Sequence, residues 1–337
     1  MKALLRFAFV SLLLAAGAAS AAAVKIATVA PEGSAWMKQM RIAAAGVKDR
    51  TAGRVELKFY PAGVMGNDAA VLRKIKLGQL QGGAFTGAEA SLVYKDAPIY
   101  SVPFLVRDQA EADFLRSKLD PMIEKGFADA GYTMAGLSGG GFAYLMSTHP
   151  IRTRDELRSS KVWVPQNDKL AETAFSAGGV SAIPLPLTDV YPGLQTGLVD
   201  TVANTPAGSI FFQWHTKVKY LVDLPLTYVV GIMLIDTKAL AKLEPADRDV
   251  LLDEIGKGFA TIDASQRADN DAARATLVKQ GVQIIEPSAE EAGFWRDIGQ
   301  KAQDQLVGDG AVSAEALSAV RAALAEYRKG KGAGTAP

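Results

Sequence analysis

From Val24 to Val29 apolar and polar side chains alternate weakly, and the run stops at Ala30-Pro31-Glu32-Gly33-Ser34, the pattern of a strand closing in a loop. The period then changes. Trp36, Met40, Ala43, Ala44 and Val47 recur at helical spacing, with Ser34 placed as an N-cap. Arg54–Tyr60 reads as a second strand and Pro61–Asn67 as a glycine-rich turn. A helix through Val71, Leu72, Ile75 and Leu77 leads to a third strand, Gln81–Phe85. This β-α-β-α-β order predicts a parallel sheet with ligand groups at the carboxyl ends of its strands. Those ends are Thr28–Ser34, Tyr60–Gly63 and Phe85-Thr86-Gly87.

Further along, Thr133–Leu137 and Phe142–Thr148 read as strands around Gly139-Gly140-Gly141. The triple glycine lacks the spacing and strand-then-helix setting of a phosphate loop, so it reads as a hairpin or a bulge at a domain crossing. Gly208–Tyr220 has helical character, and the apolar run Thr227–Ile235 is suited to return the chain to the first sheet. A long helix follows from Pro245 to the region of Gln280, with Leu251, Leu252, Ile255, Phe259 and Ile262 on one face. Within it Ser265–Arg274 is polar all round, which places that part in solvent between domains. Gln283–Glu286 reads as a last strand and Ser288–Lys329 as two helices.

With 337 residues the chain is long enough for two domains. Lys2, Arg6, the apolar run Leu4–Leu14 and Ala19-Ser20-Ala21 have the order of a secretory leader, so residues 1–22 are expected to be removed on export. Zero cysteines exclude disulfides, thiolate metal sites and a lipidated N-terminal cysteine. A net charge of +1 offers no field for nucleic acid or a membrane surface.

The segment Lys161–Asn204 carries the family signal. It reads K-V-W-V-P, a helix ending at Gly178-Gly179-Val180, Ile183-Pro184-Leu185-Pro186, and D-V-Y-P-G-L-Q-T-G-L-V-D-T-V-A-N-T-P. Together with Y-P-A-G-V-M-G at Tyr60–Gly66 and V-P-F-L-V-R at Val102–Arg107, it resembles the solute-binding proteins of TRAP (tripartite ATP-independent periplasmic) transporters, the C4-dicarboxylate-binding-like family. The resemblance covers most of the mature chain. It implies a two-domain periplasmic-binding-protein-like α/β fold with a long helix spanning both domains, and a ligand held in the interdomain cleft. It also implies delivery to TRAP membrane permease subunits driven by an ion gradient. Some systems of the family use a periplasmic helical-repeat partner protein, a further partner suggested for this chain. Residues 23–145 with about 226–265 would form one domain, 146–225 with about 266–328 the other, and 329–337 a disordered tail.

One departure shapes the ligand reading. Relatives place an arginine for the ligand's carboxylate where this chain has Trp163. A second arginine sometimes found upstream corresponds here to Phe142-Ala143-Tyr144. A bidentate Arg–carboxylate pair contributes roughly 1.5–3 kcal/mol, and stranding one buried partner costs about 3–5 kcal/mol. A buried tryptophan covers about 150–250 Å² of surface. The exchange therefore predicts a cleft for an apolar, aromatic or neutral ligand. The alternative is an organic acid whose charge is met by Lys161, Lys217, Lys219 or backbone N–H groups; a rival of another class is a periplasmic carrier of hydrophobic molecules uncoupled to a permease.

The candidate ligand-binding residues are Trp36, Phe85, Thr86, Tyr144, Trp163, Asn204, Phe211 and Trp214, with Phe104 as a further first-domain candidate and Tyr228 as a weaker one. Each has a plainer reading. Trp163 could be ordinary core, Asn204 before Thr205-Pro206 is a good turn former, and Phe211, Trp214 and His215 would share one helical face in an interdomain core. Asp200 is expected to end a strand or cap a helix. Catalysis finds little support: there is no H-E-x-x-H, no cysteine, no histidine pair at metal-ligand spacing, and no serine in a strand-to-helix nucleophile elbow. No cofactor is expected. N-terminal sequencing of the exported protein is expected to find a first residue between Ala22 and Val24; a mature chain beginning before Ala18 would contradict the leader reading.

Overall fold

The computed structural model describes residues 21–333, so all but the last two residues of the expected leader, 1–22, lie outside the described residues. Strand β1 (Ala22–Thr28), helix α1 (Ala35–Arg50), strand β2 (Val55–Tyr60), helix α2 (Asp68–Lys76) and strand β3 (Gly82–Thr86) realise the expected alternation, with β1 parallel to both β2 and β3. The caps explain where the helices begin. Ser34 Oγ accepts the Met37 N–H at 3.2 Å and Asn67 Oδ1 that of Ala70 at 3.1 Å, satisfying amides that have no partner inside their own helix.

After the short α3 (Gly87–Ala90) and a 3₁₀ turn at Ala97–Ser101 comes α4 (Gln109–Asp129). Next is β4 (Tyr132–Ser147), a single strand of 16 residues where two were expected around the triple glycine. The glycines make bulges, not a hairpin: the register against the later strand slips between Met134 and Gly136 and again between Gly139 and Gly141. The chain continues through α5 (Arg154–Arg158), β5 (Trp163–Pro165), α6 (Lys169–Ala177), β6 (Ile183–Leu185), α7 (Val190–Thr196), β7 (Thr201–Asn204) and α8 (Pro206–Phe211). It ends with β8 (Tyr220–Val222), β9 (Thr227–Asp236), α9 (Thr237–Leu240), α10 (Pro245–Lys279), β10 (Gln283–Ile285), α11 (Ala289–Gly308) and α12 (Ala314–Ala333).

The strands line up as β10-β8-β4-β9-β3-β1-β2, with β7 also paired to β4. The apolar run expected to rejoin the first sheet does so: β9 lies antiparallel between β3 and β4. The first part of β4 thus belongs with β1, β2, β3 and β9, and its end with β7 and β8. The small parallel pair β5–β6 joins the second group through a bridge from Val162 to Thr201. Apolar cores flank the first group on both faces, one containing Leu115, Ile123 and Val320, the other Met37, Met40 and Ile255. A separate core around Trp214, Val190 and Leu221 supports the second group.

Three local expectations need correction. The Gly208–Tyr220 run is not one helix, because Gln213 adopts φ +61° after α8 and leaves only a 3₁₀ turn at Trp214–Thr216. The polar stretch Ser265–Arg274 of α10 does not simply face solvent: Gln266 and Ala273 are buried. Asp263 and Asn270 grip the triple glycine, with Asp263 Oδ1 accepting the Gly139 N–H at 2.7 Å and Asn270 Nδ2 donating to the Gly140 carbonyl at 2.8 Å. Of the expected tail, 329–333 continue helix α12 past Arg328, which holds Glu111 at 2.8 Å and donates to the Leu105 carbonyl at 3.0 Å, and 334–337 lie outside the described residues.

Asp263 also receives Arg116 Nη1 at 2.6 and 2.8 Å, tying α4 to the same point. Asp263→Ala would strand a largely buried guanidinium that retains only Asp120 and the Leu137 carbonyl, at 3.3 and 3.4 Å. Urea unfolding of this variant is expected to show a loss of about 2 kcal/mol, below the full figure for a buried pair because Asp263 is partly solvated. An unchanged midpoint would mean that the clamp contributes nothing.

Candidate functional site

A cavity of about 420 Å³ opens between the two groups of strands. Gly139 and Gly140 of β4 and Val229–Gly231 of β9 line it where the sheet is shared. Trp36 at the start of α1, Thr86–Glu89 and Phe104 contribute from the first group. Opposite them stand Trp163–Pro165, Phe175, Ala203–Thr205, Phe211 and Phe212. Gln266 and Asn270 enter from α10, and Trp295 from α11. The walls are mostly apolar with a few polar groups, a composition common to small-molecule sites.

Of the eight residues singled out from sequence, Trp36, Thr86, Trp163, Asn204 and Phe211 line this cavity, as does Phe104. Phe85, Tyr144 and Trp214 do not. Successive side chains of a strand point to opposite faces, so Thr86 and Phe85 part company, and Phe85 is buried in the apolar core of the first group. The same alternation puts Ala143 and Leu145 at the cavity and turns Tyr144 away beneath the Arg274 guanidinium, 5.6 Å from its ring. The left-handed turn at Gln213 tucks Trp214 behind the wall, 1% exposed, where its ring meets Trp163 edge to face at 5.2 Å. Tyr228 is also buried, its hydroxyl receiving Gln109 Nε2 at 3.1 Å.

Trp163 takes both of its candidate roles. It is 4% exposed and part of a core, yet it lines the cavity. Its indole N–H donates to the Leu185 carbonyl at 3.0 Å, so what it offers a ligand is ring surface. Asn204 is likewise double: its Oδ1 accepts the Thr205 N–H at 2.8 Å, the turn-forming bond, while the residue lines the cavity. Of the strand ends picked out earlier, only the third reaches in directly. Thr28 and Gly63 line a separate small pocket beside Asp68.

The charged residues were missed. None of Lys161, Lys217 and Lys219 lines the cavity; Lys161 Nζ donates to the Gly197 carbonyl at 2.8 Å and Lys217 lies over the Tyr191 ring. Arg152, just beyond β4, is the one basic residue among the described lining residues. Its sequence signal was hidden beside the capping box of α5, where Thr153 and Glu156 bond reciprocally. Two carboxyls also line the cavity. Glu89, 4% exposed, is pushed up to about 8 first by burial and then by the charges of Asp68 and Asp168. Asp168 caps α6 by accepting the Ala171 N–H at 3.0 Å, and burial raises it to about 6. Thr86-x-x-Glu89 has the spacing of a capping box after a strand, the one cue that marked Glu89 in advance.

Nothing in the site assembles a nucleophile. Gly136-Leu137-Ser138-Gly139-Gly140 spells G-x-S-x-G, yet it lies within β4 and not at a strand-to-helix elbow. Both histidines are occupied elsewhere, His149 with Ser160 at 3.0 Å and His215 with the Ser209 carbonyl at 3.2 Å. Among the described residues no cluster of His, Cys, Asp or Glu could hold a metal ion, and no helix is long and apolar enough to cross a membrane.

Comparison with known proteins decides the family. The model for DctP, bacterial extracellular solute-binding protein family 7, matches residues 26–308. The chain belongs to that family.

Family 7 proteins are non-enzymatic solute-binding proteins, and this chain is one of them. It is 24% identical over 280 residues to the C4-dicarboxylate-binding periplasmic protein DctP of Rhodobacter capsulatus, covering 82% of this chain and 83% of that one. Among solved structures it matches a TRAP periplasmic solute-binding protein from Desulfovibrio salexigens with bound orotic acid, at TM-score 0.82 and 22% identity over 91% of this chain and 99% of that one. A counterpart from Sulfurospirillum deleyianum with bound succinate matches at TM-score 0.82 and 17% identity, covering 90% and 99%. The α/β periplasmic-binding-protein fold with its long helix is therefore shared.

The raised carboxyl gives this member of family 7 a pH signature. Below about pH 4.5 Glu89 is protonated in both folded and unfolded chains and costs nothing; between there and about pH 8 the unfolded chain ionises first, so stability is lost as pH rises. Melting curves should show Glu89→Gln gaining several degrees on the wild type as pH goes from about 5 to about 8. A constant gap would mean that Glu89 is not enclosed in this way.

Proposed function

We propose that this family 7 protein captures an organic acid in the cavity between its two groups of strands and presents it in the periplasm to the TRAP membrane permease subunits. The observation that carries this reading is Arg152, the one basic residue among the described residues lining an otherwise apolar and acidic cavity. It supplies the charge that was looked for at Lys161, Lys217 and Lys219. The solved relatives, with orotic acid or succinate bound, support the same ligand class. In this reading the lobes of the cleft are 23–145 with about 226–265, and 146–225 with about 266–328, the crossings falling in β4, just ahead of β9 and in α10. Closure is a population shift, driven only as far as the ligand binds the closed form better than the open one.

Trp163, in the slot where an arginine was looked for, gives the acid's carbon skeleton an apolar surface to lie on. A second reading, a neutral aromatic or apolar ligand, is favoured by the ring surface of Trp36, Trp163 and Phe211 around the same space. Calorimetry separates the two. Under the first reading an acid such as succinate or orotate binds, and Arg152→Ala weakens it about tenfold or more, the size of one charge-assisted hydrogen bond. Tighter binding of neutral indole, with a negative ΔCp, indifference to Arg152→Ala and a loss on Trp163→Ala, would install the second.

A further inference from the structure

Three buried side-chain atoms among the described residues have no hydrogen-bond partner: Glu89 Oε2, Gln266 Oε1 and Arg116 Nε. The donor, on Arg116, belongs to a residue that does not line the cavity. Both acceptors belong to residues that do, Glu89 at 4% exposure and Gln266 at 7%. They reach it from different elements, Glu89 from α3 and Gln266 from α10. Native proteins rarely leave buried acceptors unmatched, and two that share one ligand-sized cavity are best explained by what the cavity receives.

Charge narrows the class of group they await. Asp168 lines the same cavity, Asp68 stands close enough for its charge to act on Glu89, and only the N–H groups of Glu89 and Thr86 pull the other way. Burial keeps a proton on Glu89 in the empty cavity, so an arriving carboxylate or carbonyl oxygen could take that hydrogen bond, but it would leave Gln266 Oε1 unmatched and bring nothing to offset the charge of Asp168. A hydroxyl would bring a donor but no positive charge. A nitrogen donor brings both a proton to share and, as an ammonium, the compensating charge.

We propose that the acid bound here also carries a nitrogen hydrogen-bond donor, an amino or ring N–H group, received by Glu89 Oε2 and Gln266 Oε1. This rests on the organic-acid reading and divides the cavity by chemistry: the carboxylate answers to Arg152, the nitrogen to Glu89 and Gln266, and the skeleton to Trp163. Asp168 strengthens the nitrogen subsite through its charge.

Matched triples test it, titrated into the mature protein by calorimetry: succinate, malate and aspartate; isocaproate, hydroxyisocaproate and leucine; hydrocinnamate, phenyllactate and phenylalanine. In a triple whose skeleton fits, the amino member is expected to bind about tenfold or more tightly than the plain acid, and Glu89→Gln to bring that ratio close to one. Equal binding across the triple, or a preference for the hydroxy member, overturns the nitrogen subsite while leaving the organic-acid reading in place. No binding by any member overturns the organic-acid reading and the subsite with it. Should Glu89→Gln fail to fold, Asp168→Asn, whose side chain can still cap α6, carries the same comparison.

Discussion

The structure depends on a pair of hydrogen bonds at the weakest point of its longest strand. Shortly before β4 passes from one group of strands to the other it runs through three glycines, which contribute no side chain to either core. Gly139 and Gly140 present an N–H and a carbonyl there, and α10 meets both, with Asp263 and Asn270. The backbone polar groups at the bulge are thereby satisfied, which an apolar neighbour could not do. Asn270 Oδ1 also accepts the Ala207 N–H at 3.1 Å, so the same residue fixes the start of α8. Glycine is required here by space: a Cβ on Gly139 would overlap the Tyr228 hydroxyl, and one on Gly141, at φ +95°, would press on Asn270. The relative placement of the cavity walls follows from this clamp.

How far the sequence reveals this depends on distance along the chain. The opening β-α-β-α-β unit was legible because its signals are local: Ser34 before Trp36, a change of period, apolar runs of strand length. The long helix was legible for the same reason. Its polar stretch was misread because Asp263 and Asn270 look solvated until the strand they grip, more than a hundred residues away, is in place, and Gln266 until the cavity it lines is formed. Aromatic candidates were found by type but not by direction. Phe85 and Tyr144 each sit one residue from a true lining position, and strand alternation turns them out; Trp214 is carried behind the wall by a left-handed Gln213 that no pattern announces. Arg152, Glu89 and Asp168 escaped because each stands in or beside a helix cap, where charged residues are common and usually say little.

The cavity distributes its chemistry unevenly. Trp163 spends its single polar atom on Leu185 and Asn204 spends its carbonyl oxygen on Thr205, so the residues most conspicuous in sequence offer mainly surface and one amide. The polar demand comes instead from carboxyls kept from water. Burial raises Glu89 and Asp168 together, and the same enclosure that makes their charges costly when the site is empty would strengthen any bond that satisfies them.

The continuity of β4 has a mechanical meaning. Two lobes joined by a flexible linker swing freely and melt separately; two lobes that share one strand, flanked by β9 and braced along α10, move only by twisting what they hold in common. Opening of the proposed cleft would then be an elastic deformation whose stiffness resides in a few glycine dihedrals, its amplitude limited by how much register the bulges can give up. Heat would meet the same restriction, for neither lobe of the proposed cleft could release its end of the strand without disordering the other's, and the molecule is expected to unfold as one body.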